Sequence, residues 1–387
     1  MSSIASSLGD LGHAVRNSAR GRLRDLCLDF DFLLHRNQFN RGMPKTRRIA
    51  MVSGTRCKTP PLGYGGVERR FYFQAKDLAE RGWDVHLWGD FQDVSTGLYQ
   101  GLTLHAGWDL EGYEALRVMP DIIYRAYLDE RQIQRYSQLS TCVIVGEFNA
   151  PETLPPLSPR IFVRCMSDLF RDIAIARGFA RDRVITCLPY QGGQVSYRPE
   201  LSRENWLLWV GRADPCKALE EAFLFSSLTG VPLRFACRAP DLVNNPYHRA
   251  LWRMMPETVS YLGEVDTDEK ADLYSRCQAL LYTAHPLWQE AFGLIFLDAL
   301  SSGTPVLALD HHKGSTQSSF FPGPPLGLRA ANTEELVKQF LAHGHELRPE
   351  AVAARYQELY GHQKAQERFH QELSRLVQQT LSPETAR

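Results

Sequence analysis

Along this chain, two kinds of hydrophobic pattern alternate. Short, mostly apolar runs rich in β-branched and aromatic residues read as buried strands: "RRIAMVSG" at 47–54, then "DVHLWGD", "LTLHAG", "DIIYRAY", "TCVIVGEFN", "RIFVRCM" and "RVITCLPY". Longer segments with apolar residues three and four apart read as helices: "VERRFYFQAKDLAERG", ended by Gly82, and "SDLFRDIAIARGFA". The turn-rich stretch "QGGQVSYRPELSREN" interrupts the alternation, which restarts with the strand "WLLWVGR", the helix "ALEEAFLFSSLTG" and the strands "PLRFACR" and "TVSYLGEV". A helix from Thr267 or Asp268 and the strand "ALLYTAH" lead into "HPLWQEAFGLIFLDALSSGTPVLALD", 285–310, where a helical run behind Glu290 gives way to the strand "TPVLALD". Strands alternating with helices predict an α/β protein: two doubly wound, Rossmann-like domains with parallel sheets, facing a central cleft at the carboxyl ends of both sheets. The expected divisions are an extension over 1–46, a first domain over 47–195, a second over 196–345, and a helical tail over 346–387 that can cross back to brace the first domain.

Composition narrows the function classes. At 387 residues, two cores are the natural expectation. Basic and acidic residues balance at 44 each, so bulk charge argues against a nucleic-acid partner. The eight cysteines are scattered without a C-x-x-C pair, which reads as buried, reduced thiols in a cytoplasmic protein. No run approaches the roughly 18 consecutive apolar residues of a membrane span, and the amino terminus lacks the apolar core of a secretory signal. Residues 1–48 carry nine Arg or Lys against four Asp. Within them Leu23, Leu26, Cys27, Phe30, Leu33 and Leu34 share one helical face. That face reads either as a helix packed on the body of the protein or as peripheral membrane or partner contact through residues 1–44. An organelle leader is a third reading, weakened by Asp10, Asp25, Asp29 and Asp31.

Three motifs carry chemistry. Glu290 precedes a helix start at Phe292, Gly293 and Leu294, where free backbone N–H groups and the helix dipole suit a diphosphate. A carboxylate just outside that helix can accept hydrogen bonds from sugar hydroxyls. Asp298 lies eight residues on, a rise of about 12 Å, far enough to meet a ribose. In "WVGRADPCKALEEAF", Arg212 and Lys217 follow the first strand of the second domain and suit a diphosphate leaving group. In "GTRCKTPPLGYGGVERR", the glycines Gly63, Gly65 and Gly66 permit a tight turn and close backbone approach, without the spacing of a dinucleotide fingerprint or a P-loop. Taken singly, each motif reads as readily as a capped helix, a solvated basic loop or an ordinary turn. "DTD" at 266–268 directly precedes a helix and reads as an N-cap rather than a metal site.

In this order the motifs resemble the retaining GT-B glycosyltransferases of family 4. The resemblance rests on Gly65, Gly66, Val67 and Glu68; on Gly211, Arg212 and Lys217; on "EAFGL" from Glu290 with Asp298 eight residues later; on "GTPV" from Gly303; and on the linker "LPYQGGQVSYRP". It spans about residues 47–310. It implies transfer of a sugar from a nucleotide-diphosphate sugar to an acceptor, with retention at the anomeric carbon and with neither metal nor other cofactor. Glu290 would then orient the sugar, Arg212 and Lys217 would stabilise the departing diphosphate, and Gly65, Gly66, Phe292, Gly293, Leu294 and Asp298 would bind the donor. Two positions depart from the family pattern. Asp298 stands where a glutamate is usual, and "DIIYRAY" and "VIVGEFN" lack the customary histidine, leaving Arg125 or Glu147 in its place. A catalytically silent binding or scaffold protein and a sugar-nucleotide epimerase are the competing readings. The acceptor (saccharide, lipid-linked glycan or small molecule), the donor sugar and the base are not legible in the sequence.

Overall fold

The structure is a computed structural model that describes residues 47–381 apart from 54–57, 60–64, 92–96, 107–117, 119, 128–129, 138–141, 146–159, 188–194, 240–243, 292 and 322. The basic segment 1–46, Glu147 and Phe292 therefore lie outside the described residues. The first domain is built on β1 (Arg48–Val52), whose Ile49, Ala50 and Met51 are fully buried, as expected of a strand covered on both faces. β2 (Asp84–Gly89), β3 (Gly97–Tyr99), β4 (Leu102–Ala106), β5 (Ile122–Arg125), β6 (Cys142–Val145), β7 (Ile161–Cys165) and β8 (Val184–Thr186) complete an eight-stranded sheet in the order β3-β4-β2-β1-β5-β6-β7-β8. All pairings are parallel except that of β3 with β4. Helix α1 (Gly66–Glu80) connects β1 to β2; α2 (Glu130–Tyr136) and α3 (Asp168–Ala176) follow β5 and β7. The hydroxyl of Ser167 caps α3 by accepting the Phe170 N–H.

The second sheet comprises β9 (Leu207–Val210), β10 (Leu233–Ala236), β11 (Val259–Gly263), β12 (Ala279–Tyr282), β13 (Val306–Leu309) and β14 (Gly327–Ala330), all parallel, in the order β11-β10-β9-β12-β13-β14. Helices α4 (Leu219–Thr229), α5 (Pro246–Arg253), α6 (Thr267–Arg276), α7 (Leu294–Ser301), α8 (Thr316–Phe320), α9 (Thr333–His343) and α10 (Pro349–Tyr360) surround it. Asp266 of "DTD" closes a capping box on α6: its carboxylate accepts the Glu269 N–H, and Glu269 accepts the Asp266 N–H. The fold class is the predicted one, two parallel-sheet α/β domains. β3, α2, α5, β14 and α9 go beyond the sequence-based expectation, and α7 is shorter than the apolar run that signalled it, starting only after Gly293. Among the described residues no helix is long and apolar enough to cross a membrane.

The last helix, α11 (His362–Leu381), returns to the first domain. Its Ala365, Phe369, Leu373 and Leu376 join the core formed by Ile49, Phe71 and Tyr124. Arg164 of β7, fully enclosed, donates to Glu372 of α11 and to the Tyr124 hydroxyl, and its guanidinium lies 4.7 Å from the centre of the Phe369 ring. A second contact is pH-sensitive. Asp77 of α1 faces α11, where burial, assisted by Glu80, raises its carboxyl to about 7 against the opposing hydrogen bond from Gln366. His362 stands 4.0 Å away, but burial lowers its pKa, so at neutral pH the imidazole is uncharged and the pair is not an ion pair. The unfolded chain ionises Asp77 near 3.8, well below the folded value. Stability is therefore expected to fall as pH rises from about 4 to about 7. Asp77→Asn should raise thermal stability at pH 8, by on the order of 1 kcal/mol, and give no gain at pH 4. An equal gain at both pH values would show that ionisation of Asp77 is not the cause.

Candidate functional site

Between the two domains lies a cavity of about 360 Å³, walled by the carboxyl-end loops of both sheets. From the first domain, Gly65, Gly66, Val67 and Arg69 line it at the start of α1. Gly65 has φ +144°, a conformation open to glycine, and turns the chain into the helix. A Cβ at Gly66 would stand 3.4 Å from Leu294 Cδ1, so the start of α1 abuts the start of α7 across the cleft.

The second domain supplies most of the charge. Arg212, after β9, stands 3.1 Å from Asp214 Oδ2. Asp214 also accepts the Cys216 N–H and so caps a single 3-10 turn, Pro215–Lys217. Ala218 then adopts φ +44°, a left-handed conformation unusual for a residue with a side chain. In this tight reversal Lys217 Nζ reaches Glu290 Oε2 at 2.5 Å and lies 4.9 Å from the centre of the Trp288 ring and 5.2 Å from that of Tyr282. The two segments are also stitched through their backbones. Thr283 Oγ1 donates to the Lys217 carbonyl, and the His285 N–H donates to the Cys216 carbonyl.

Glu290 accepts hydrogen bonds from Lys217 and, at 2.8 Å, from the Tyr282 hydroxyl. Burial pushes its carboxyl up, but the Lys217 charge and these two hydrogen bonds prevail and hold it below the usual carboxylate range. Burial, with Glu290 adding to it, drives the Tyr282 phenol far above its ordinary value. Tyr282 thus keeps its proton, and Glu290 is a carboxylate. The loop that carries it is tied down from the β13–α8 connection. Thr316 Oγ1 donates to the Glu290 carbonyl, His311 Nε2 meets the Ala284 carbonyl at 2.9 Å, and His312 Nε2 meets that of Trp288 at 3.2 Å.

Gly293, at φ +64°, starts α7 inside the cleft, so the leading N–H groups and the positive end of the dipole face the cavity near Glu290 and Lys217. Asp298, one helical turn further on, also lines the cavity and is only 7% exposed. Its Oδ2 lies 3.8 Å from an Arg69 guanidinium nitrogen, so it faces a cation from the other domain.

The structure thus gathers Glu290, Arg212, Lys217, Gly65, Gly66, Gly293, Leu294 and Asp298 around one cavity. Arg125 is placed otherwise. It is buried, donates to the Tyr136 hydroxyl and the Tyr127 carbonyl, and is not part of the cavity wall, whereas Tyr127 is. Sequence reasoning did not pick out Arg69, Lys270, Tyr282 or Trp288. Tyr282 and Trp288 flank the "EAFGL" motif and were open to that inference; Lys270 reads in sequence as one more polar residue of an amphipathic helix.

Residues 241–318, which include β12, the Glu290 loop, α7 and β13, match the family model described as glycosyl transferases group 1. No curated protein matches the chain. Among solved structures, AviGT4, a glycosyltransferase involved in avilamycin A biosynthesis, superposes with a TM-score of 0.64 at 19% identity, covering 86% of this chain and 98% of AviGT4. HepE of Anabaena, in complex with UDP and glucose, superposes with a TM-score of 0.63 at 13% identity, covering 85% of this chain and 99% of HepE. The lipopolysaccharide outer core galactosyltransferase WaaB, in its apo form, gives 0.57 at 13% identity, with 84% and 98% covered. The two-domain fold is the GT-B fold shared by these glycosyltransferases.

Proposed function

We propose that the protein transfers a sugar from a nucleotide-diphosphate sugar to an acceptor, with retention at the anomeric carbon and without a metal ion. The observation that carries this reading is the buried Glu290–Lys217–Tyr282 cluster set beside the start of α7. Breaking the bond between the anomeric carbon and the phosphate oxygen leaves negative charge on the diphosphate and positive character on the sugar ring. Arg212, Lys217 and the N–H groups of α7 are placed to receive the first. Glu290, held ionised by its cationic partner, accepts hydrogen bonds from sugar hydroxyls and orients the ring. The acceptor oxygen bonds to the anomeric carbon on the face the phosphate leaves, and its proton passes to the departing phosphate oxygen, so no protein base is required. The match over 241–318 and the bound UDP and glucose of HepE support this reading. The acceptor, whether saccharide, lipid-linked glycan or small molecule, would enter from the first-domain side, past Tyr127 and the α1 start.

Titration with a panel of sugar nucleotides, followed by assays of sugar release and transfer, tests the proposal. A silent scaffold would neither bind nor release, and an epimerase would return an altered donor without transfer. Arg212→Ala should weaken binding of the nucleoside diphosphate product by roughly ten- to hundredfold, the equivalent of a lost charged hydrogen bond of about 1.5–3 kcal/mol, and should slow transfer as well. Unchanged calorimetric affinity for every nucleoside diphosphate would remove Arg212 from the diphosphate site.

A further inference from the structure

Lys270, on the first turn and a half of α6, is the most unusual charge in the cleft. The residue is 8% exposed and lines the cavity. Among the described residues no group stands within hydrogen-bond or ion-pair distance of its ammonium. The charges that act on it do so from further away: Arg69 of the first domain repels it, and Asp298, Asp266 and Glu264 attract it. Burial, then Arg69, lower its pKa to about 8. An ammonium can donate three hydrogen bonds and accept none, and that of Lys270 makes none to the described residues. Such a group in a cavity wall points to a ligand that supplies acceptors.

Its position says which part of a ligand. Asp298 acts on Lys270, the helix that carries Lys270 packs against α7, which carries Asp298, and Glu264 and Val265 line the cavity next to the start of α6. Lys270 therefore stands at the Asp298 end of the cleft. With the diphosphate at Arg212, Lys217 and Gly293, that end takes the nucleoside.

We infer that Lys270 is a specificity-determining residue that selects a donor nucleobase presenting carbonyl oxygens at this edge, such as uracil, over adenine. The inference rests on the reading of the cleft as a nucleotide-sugar site. The Lys270 ammonium offers only donors, so a base edge that carries carbonyl oxygens completes it, while the amino group of adenine at that edge would set donor against donor.

Calorimetric titration of the full chain with UDP and with ADP decides the matter. The wild type should bind UDP at least about tenfold more tightly than ADP. Lys270→Met, close in shape, should lose about that factor for UDP and change ADP affinity by less than about twofold. Its ligand-free melting temperature should be equal to or above that of wild type, because a charge that burial disfavours has been removed. Lys270→Arg should keep the UDP preference. Equal losses for UDP and ADP in Lys270→Met would mean a general attraction for the diphosphate and would overturn the inference. So would a wild type that binds both alike, or a Lys270→Met that keeps full UDP affinity. If the wild type binds no nucleoside diphosphate at all, the nucleotide-sugar reading fails and the inference falls with it.

Discussion

Glu290→Gln is expected to lower turnover by about a hundredfold or more, in the range seen when one preorganised transition-state contact is removed, while changing affinity for the nucleoside diphosphate by less than about threefold. The side chain keeps its length and still accepts a hydrogen bond from Tyr282, but loses the charge that Lys217 compensates. Two consequences oppose each other. Sugar hydroxyls lose a charged acceptor whose hold tightens as the ring gains positive character, which lowers the rate. Lys217, released from its carboxylate, becomes freer to meet the diphosphate, which protects affinity. Steady-state kinetics at saturating donor and calorimetry with the product measure the two separately. Turnover within about twofold of wild type would end the assignment of Glu290 to the sugar.

Gly293→Ala is the second large effect, on stability and activity together. At φ +64° an added Cβ is strained by about 1–2 kcal/mol, and it would lie 2.4 Å from the Phe296 ring. Phe296 is fully buried and packs edge-on against Tyr282, Phe320 and Phe321 with ring centres 4.8, 6.0 and 5.2 Å away, so it has little room to yield. Overpacking of this kind adds about 1–3 kcal/mol. Displacement of Phe296 also presses on Tyr282, which donates to Glu290. The expected outcome is a loss of about 2–5 kcal/mol in chemical denaturation, with activity down at least about tenfold well below the melting temperature. Gly230→Ala is the control. It shares a positive φ, +69°, but its added Cβ meets nothing within 4 Å, so it should cost only the strain. Equal losses at the two glycines would show that packing on Phe296 contributes nothing.

Much of the scaffold was legible in the sequence, because a strand covered on both faces must be apolar almost throughout. "IAMV", "LLWV" and "ALLY" form β1, β9 and β12. Where burial is partial the signal fades. β14 begins with glycine and β3 has three residues, one of them the widely exposed Leu98. α5 follows a turn and depends on Asn245 as its cap and Pro246 as its first residue. Motifs confined to one stretch of chain were equally legible. Asp266 precedes a helix and caps it, and the spacing from Glu290 to Gly293 places a carboxylate beside a helix start whatever the rest of the chain does.

What the sequence determined by itself is therefore local: the period of each segment, and hence the α/β class with its parallel sheets; the caps; and the grouping of Glu290 and Gly293 before the helix that carries Asp298. What only the tertiary structure decided is which charges meet. Lys217 and Glu290 are 73 residues apart and become partners because β9 and β12 lie side by side in the sheet. Arg69 faces Asp298 because the start of α1 closes against α7 across the cleft. Lys270 has the polar character of a surface helix residue, and its burial follows from where α6 is packed. The physical reason is that hydrophobic periodicity is a property of neighbours along the chain, whereas ionic pairing and desolvation depend on distances in space that the sheet order and the approach of the two domains set.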